Sequence, residues 1–221
     1  MIKYVLFDLD GTILDNEIFT ITSKVIEGKK LGYSIDEKIA KNTLGLSCQN
    51  SKKYLCSLYG EDFPYEYFRE KRFEYIKNDI LSNGIKLKPG VEELINFCIN
   101  EKIKIAICTS SSKKYLDFYS KHSDIFSKFD LIITGDQIKN GKPDPEIFLK
   151  AIDYFNGNVK EALVVEDSNN GILAGLNAGC EVIMVPDLIA PNQEVKSSKA
   201  KIMKSAFDVI DFIKNMNQLG D

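Results

Sequence analysis

The sequence predicts an α/β fold: a doubly wound parallel sheet whose first strand is followed by an inserted α-helical cap domain. Three observations predict it. Five short apolar runs lack clean polar–apolar alternation, helical patterns separate them, and residues 15–84 hold helical patterns only. Strands covered on both faces by helices lose the period-two alternation of half-exposed strands. Regular alternation of strand and helix is the pattern of a parallel α/β sheet.

The elements follow in order. YVLFD (4–8) reads as a buried strand, and it ends by placing Asp8 and Asp10 on either side of Leu9, just before Gly11. From about Asp15 to Gly84 no strand is evident, and Gly28, Gly32, Gly45, Gly60 and Pro64 punctuate the helical segments. Within this interval YEYFREKRFEYIKNDIL (65–81) is amphipathic, with Phe68, Phe73 and Ile76 on its inner face. PGVEELINFCIN (89–100) is a helix opened by Pro89 and Gly90, and KIAICT (104–109) is the second strand. LIIT (131–134) is the third strand, and DPEIFLKAIDYF (144–155) is the helix after it. ALVVED (162–167) is the fourth, residues 171–178 form a helix stopped by Gly179, and EVIMVP (181–186) is the fifth. The chain therefore divides into a core, 1–14 and 85–221, and a cap, 15–84. An insert directly after the first strand stands over the carboxyl edge of the sheet, where open α/β sheets bind ligands.

Composition narrows the function. At 221 residues, 44% of them hydrophobic, the chain suffices for a large domain or a core with an insert. Its 29 basic and 32 acidic residues leave a net charge of −3, so the basic footprint of a nucleic-acid binder is missing. No apolar run approaches the ~20 residues that span a bilayer, and no secretory leader pattern opens the sequence. The five cysteines (Cys48, Cys56, Cys98, Cys108, Cys180) are odd in number, widely spaced and without a C-x-x-C pair. Reduced thiols in a cytoplasm are expected, rather than a zinc site or a disulfide framework.

The strand exits carry a second pattern. The first ends in Asp8 and Asp10, the second in Thr109-Ser110-Ser111, and the fourth in Glu166-Asp167, while Lys142 follows the third in GKPDPEIF. Singly, each has a structural explanation: a turn aspartate, a helix cap or a loop lysine. Jointly, on successive strands of one edge, they assemble carboxylates, a hydroxyl and an ammonium. Oxygen ligands without histidine or cysteine suit magnesium, which draws phosphate and carboxylate together despite their like charge. A carboxylate can then attack phosphorus and form an acyl-phosphate. Lys142 and Thr109 would bind the equatorial oxygens, and backbone amides in the turn after Asp8 would add further donors. Gly11 lets that turn close without a Cβ.

These motifs identify a resemblance. DLDGT (8–12), Thr109, Lys142 in GKPDP and Glu166-Asp167 in EDSNNG match, in order, the four motifs of the haloacid dehalogenase superfamily, and the match spans nearly the whole chain. The resemblance implies Asp8 as nucleophile and Asp10 as general acid, then base. It implies Mg2+ held by the Asp8 carboxylate, the Asp10 main-chain carbonyl and Asp167, with Glu166 direct or through water. The phosphate would meet Asp8, Leu9, Asp10, Thr109, Ser110 and Lys142. The insert resembles the helical cap of the subgroup that contains β-phosphoglucomutase and many sugar-phosphate or phosphoglycolate phosphatases.

The expected function is hydrolysis of a small phosphorylated metabolite, with neither nucleic acid nor membrane as partner and a monomer, or else a dimer, as the working form. The dehalogenases of the superfamily lack the second aspartate, so Asp10 argues against that activity. A nucleotide-binding P-loop is excluded because Lys142 is followed by Pro143 rather than Ser or Thr. A phosphomutase is the alternative enzyme, and a non-catalytic binding protein on the same fold is the alternative of another class. β-Phosphoglucomutases carry an arginine after the G-x-S of the cap loop, where GLSC has Cys48, and a histidine where this chain has Thr20. A thiol cannot reproduce a guanidinium's bidentate grip on phosphate. Lys71 and Arg72 are the cap candidates for an anionic substrate, with Lys71 named as a substrate contact; a solvated basic face is the competing explanation. Gly45 either lets a loop approach the site or ends a helix, and His122 reads as a surface or helix-end residue.

Overall fold

The computed structural model describes residues 1–218. Six strands build one sheet: β1 Tyr4–Phe7, β2 Lys104–Cys108, β3 Leu131–Ile133, β4 Ala162–Glu166, β5 Glu181–Met184 and β6 Lys201–Ile202. All pair in parallel, in the order β3-β2-β1-β4-β5-β6. β1 is central, with Phe7 in register with Ile107 on one side and Val165 on the other. The chain crosses first to one side of β1 and later to the other, so the switch point of the sheet lies at the end of β1. That is the crevice where this architecture takes ligands.

Both faces of β1 are buried because its residues alternate between two apolar layers. Val5 and Phe7 join Leu94, Ile95, Ile107, Val165, Val209 and Ile213, under helices α5 (Val91–Asn100) and α10 (Ala206–Gln218). Leu6 joins Phe148, Ala151, Val164 and Ile172, under α7 (Glu146–Tyr154) and α8 (Asn169–Asn177). The expected doubly wound sheet is the fold that forms. Each strand stops one or two residues short of its apolar run, which leaves Asp8, Thr109 and Asp167 on the loops immediately beyond. The β6 strand and α10 are additions to the sequence reading. β6 is two exposed residues with no apolar run, and only pairing with Ile183 and Met184 defines it. Two further helices complete this part of the chain, α6 (Lys113–Tyr119) and the short α9 (Gln193–Lys196).

Between β1 and α5 lie α1 (Glu17–Lys30), α2 (Glu37–Lys41), α3 (Cys48–Tyr59) and α4 (Tyr65–Asn83). They enclose a separate apolar cluster that includes Ile21, Ile35, Ala40, Leu55, Phe63 and Phe68. Phe68, Phe73 and Ile76 are all buried, yet they serve two different surfaces. Phe68 belongs to the cluster of α1–α4, whereas Ile76 joins the sheet's layer and Phe73 lies 4.1 Å, centroid to centroid, from the Tyr115 ring of α6. The two connections run side by side. Asp15 N donates to Lys86 O and Lys88 N donates to Ile13 O, each at 2.9 Å. Among the described residues no helix is long and apolar enough to cross a membrane.

Candidate active site at the carboxyl edge of the sheet

Asp8 leaves β1 still hydrogen-bonded to its neighbour, its N–H donating to Val165 O at 3.0 Å. The chain then turns at Gly11, whose φ of +85° is left-handed. A Cβ there would lie 2.5 Å from Asp167 Oδ2, so the position demands glycine for both conformation and space. Within this turn the Leu9 and Asp10 amides donate to no acceptor among the described residues, while the Leu9 side chain is buried in the core. Two N–H groups at this edge of the sheet are therefore unpaired among the described residues.

Lys142 is the centre of the charge arrangement. It is 1% exposed, and its ammonium donates to Asp8 Oδ1 at 2.5 Å, Glu166 Oε1 at 2.7 Å and Cys108 O at 2.9 Å. All three N–H donors of the lysine are used. Burial opposes its charge, but the carboxylates of Asp8 and Glu166 outweigh that and raise its pKa. The other Glu166 oxygen accepts from Ser168 N at 2.7 Å and Ser168 Oγ at 2.9 Å, so both oxygens are engaged. Asp167 is left to face Gly11, with a single bond from Thr12 Oγ1 at 3.0 Å. Burial, and then the charges of Glu166, Asp8 and Glu17, push the Asp167 carboxyl well up. Burial does the same to Asp8, against the pull of Lys142, and takes it to about 8. The cluster thus sets three carboxyl groups against one ammonium, and without a further cation burial disfavours charging all three.

Asp10 sits apart from Lys142. Its Oδ1 accepts from Asn16 Nδ2 and its Oδ2 from Ser111 Oγ, both at 2.6 Å. Thr109 is 1% exposed; its Oγ1 accepts from Ser111 N at 3.0 Å, which leaves its hydroxyl proton free to donate. Asp8, Asp10, Thr109, Ser110, Lys142, Glu166 and Asp167 all line one cavity of about 130 Å³ between the sheet edge and α1–α4. Leu9 is not among the lining residues, and its side chain is buried in the core.

Lys71 is not brought there. It forms an ion pair with Glu74 at 3.0 Å, lies over the Tyr67 ring and is absent from the cavity wall. One helical step rotates a side chain by about 100°, so adjacent Lys71 and Arg72 cannot face the same way, whereas Arg69 and Arg72 can. Both arginines line the cavity. Lys71→Ala is accordingly expected to change kcat/KM by less than about twofold, as for a surface ion pair; a tenfold loss in a steady-state assay would contradict this placement. Lys24 and Arg69, which line the cavity, and Asn16, which reaches Asp10, were not legible as site residues. Helix packing brings them there, which no local spacing encodes, whereas Ser111 arrives on the loop after β2 with Thr109 and Ser110. His122 is exposed, with Nδ1 at 2.8 Å from Phe118 O, and does not line the cavity.

The α2–α3 loop closes on the sheet edge. Gly45 has φ +68°, and a Cβ on it would meet Ser168 Cβ at 2.7 Å, so the loop approaches the core as closely as backbone allows. Cys48 and Thr20 line the same cavity. The donors around Asp8 are all oxygens: the Asp8 and Asp167 carboxylates and the Asp10 main-chain carbonyl, which accepts no backbone bond. Among the described residues no three His, Cys, Asp or Glu side chains form a ready-made metal cage. Magnesium does not need one, because it is held by one or two carboxylates together with waters and phosphate oxygens.

Comparison with known proteins places this geometry. The family described as haloacid dehalogenase-like hydrolase matches residues 5–185. A phosphorylated carbohydrates phosphatase of Thermotoga maritima is 31% identical over 81% of this chain and 82% of its own. A (DL)-glycerol-3-phosphatase of Arabidopsis thaliana is 32% identical over 84% of this chain and 80% of its own. The crystal structure of a β-phosphoglucomutase from Clostridium difficile superposes with a TM-score of 0.80 at 28% identity, covering 99% of this chain and 100% of that one.

Proposed function

The chain belongs to the haloacid dehalogenase-like hydrolases, and from that membership we propose that it is a magnesium-dependent phosphatase of a small phosphorylated metabolite, acting through a phosphoaspartate at Asp8. The observation that carries the reading is the buried cluster in which Asp8 shares Lys142 with Glu166 while Asp10 stands beside it on separate donors. In this reading residues 15–84 are a cap over a core of 1–14 and 85–221.

The Asp8 and Asp167 carboxylates and the Asp10 carbonyl would hold Mg2+, and Glu166, both of whose oxygens are engaged, would hold Lys142 in place. When bound, the ion offsets the excess negative charge and lets a phosphate approach a carboxylate. Lys142 fixes Asp8 Oδ1, which leaves Oδ2 to attack phosphorus. The Thr109 hydroxyl and the Leu9 and Asp10 amides receive the phosphoryl oxygens where charge spreads in the transition state. Asp10 gives its proton to the departing oxygen as the P–O bond breaks. It then takes a proton from the water that attacks the phosphoaspartate, releasing inorganic phosphate and free Asp8. The Ser111 hydroxyl can donate to an ionised Asp10 or accept from a protonated one. With Asn16 on the other oxygen, Asp10 keeps its orientation through both halves of the cycle.

A chelator is expected to abolish hydrolysis of an aryl phosphate. Added magnesium restores it, and calcium does so poorly because its looser coordination disturbs in-line attack. Full activity in chelator would overturn the magnesium assignment, and no turnover of any phosphomonoester would favour a binding protein. Against the mutase alternative stand Cys48 and Thr20, where β-phosphoglucomutases carry an arginine and a histidine; a cation elsewhere in the cap could compensate for the first, so product analysis decides. With β-glucose 1-phosphate and catalytic bisphosphate, inorganic phosphate is expected to form faster than glucose 6-phosphate; the reverse order would make the protein a mutase.

A further inference from the structure

Two cations on the α1–α4 wall of the cavity have no anion among the described residues. Lys24 of α1 and Arg72 of α4 both line the cavity. Lys24 is 5% exposed, and its ammonium has one partner, Ala40 O at 3.3 Å. Arg72 donates through Nε to Ser23 Oγ at 3.3 Å and lies over the Phe68 ring, 5.5 Å from its centroid. Neither forms an ion pair among the described residues, whereas Arg69, on the same wall, has Glu66 at 3.1 Å. Burial drives both down in pKa, and the Arg72 charge adds to the penalty on Lys24.

Buried unpaired charge is costly, and a fold gains nothing from holding two such cations together. A structural role would show as a carboxylate between them. The carboxylates whose charges reach Lys24 are Glu17, seven residues before it on α1, and Asp10, and neither forms an ion pair with it. The Glu17 carboxyl is itself pushed up to about 7 by burial and by Asp187. A Ser23 hydroxyl, an Ala40 carbonyl and one aromatic face are weak compensation for two charges. The cations are held on the α1–α4 side of the cavity, where their partners Ser23, Ala40 and Phe68 lie. A phosphoryl group bound at Asp8 would therefore point its ester substituent at them.

We propose that Arg72 and Lys24 form an anion subsite that selects phosphomonoesters whose leaving group carries a second negative charge, a carboxylate or a second phosphate, at its far end. The proposal rests on the phosphatase reading for the first phosphate only. The guanidinium would take two oxygens of the anion and the ammonium a third.

The test uses matched pairs that differ in the distal charge: 3-phosphoglycerate against glycerol 3-phosphate, and glucose 1,6-bisphosphate against glucose 1-phosphate. For the wild-type protein, kcat/KM is expected to be about ten- to a hundredfold higher for the doubly anionic member of at least one pair, as charged hydrogen bonds allow. Preference in the first pair identifies a carboxylate and in the second a phosphate. Arg72→Gln is expected to collapse the ratio toward one. Lys24→Met should do the same and also raise the melting temperature of the ligand-free protein by about 2–4 °C, because it removes an unpaired buried charge. Thermal shifts of Asp8→Asn with the same four compounds report binding without turnover. Thus, if p-nitrophenyl phosphate is not hydrolysed, the phosphatase reading falls while the subsite is still judged by binding. Equal kcat/KM and equal thermal shifts within both pairs would overturn the subsite. So would a lower melting temperature of Lys24→Met with selectivity retained, which would mark the cations as structural.

Discussion

Asp8→Asn is expected to lower kcat toward an aryl phosphate by about 10⁴-fold or more, the scale of losing a nucleophile that works as part of a unit. The amide oxygen is a poor nucleophile, and no other carboxylate occupies its place: Asp10 is held away by Asn16 and Ser111, and Glu166 by Lys142 and Ser168. The protein should remain folded. A neutral side chain relieves repulsion among the buried carboxylates, and the amide oxygen can still accept from Lys142. The checks are steady-state kinetics, circular dichroism and mass spectrometry of acid-quenched samples. Wild type should carry a phosphate adduct on the peptide containing Asp8, and the variant should carry none. Turnover near the wild-type rate would rule out the covalent mechanism.

Lys142→Met should damage both activity and stability. Its ammonium binds Asp8, Glu166 and the Cys108 carbonyl from a position that is 1% exposed. Removing one partner of a buried ion pair leaves the others desolvated and uncompensated, at a cost of about 3–5 kcal/mol. Asp8 also loses the partner that fixes its Oδ1 and aims Oδ2, which is expected to reduce kcat by about 10²–10³-fold. Lys142→Arg should not rescue it, since a planar guanidinium cannot reproduce three convergent bonds from one nitrogen. Urea unfolding and kinetics of the two variants test this. A Lys142→Met protein with wild-type stability would show that the carboxylates were already neutral.

The core of the fold and the floor of the site were legible because both are written locally. Apolar runs mark the strands, and a functional group one or two residues after each run must emerge at the same edge of a parallel sheet. Asp8, Thr109 and Asp167 follow from that rule, and Lys142 from its place after the third strand. Lys71 marks the limit. Its neighbour Arg72 has the same charge and almost the same local sequence, but one helical step sends Lys71 to solvent beside Glu74 and Arg72 to the cavity. The amphipathic pattern of residues 65–81 could not decide between them, because that helix buries two faces. Phe68 packs within α1–α4 while Phe73 and Ile76 pack toward the sheet.

By itself the sequence determined five of the six strands, the inserted helices and the order of chemical groups along one edge, since apolar runs alternating with helices in parallel connection leave few alternatives. Only the tertiary structure decided which oxygens of those groups are engaged. It bound both oxygens of Glu166 but left Asp167 with a single Thr12 bond, and it gave Asp10 its donors in Asn16 and Ser111. It also decided the cationic wall, by turning α1 and α4 so that Lys24 and Arg72 meet across one cavity. The physical reason is range. Backbone periodicity acts over a few residues, whereas the rotation of a helix about its axis is set by what packs against it from elsewhere in the chain.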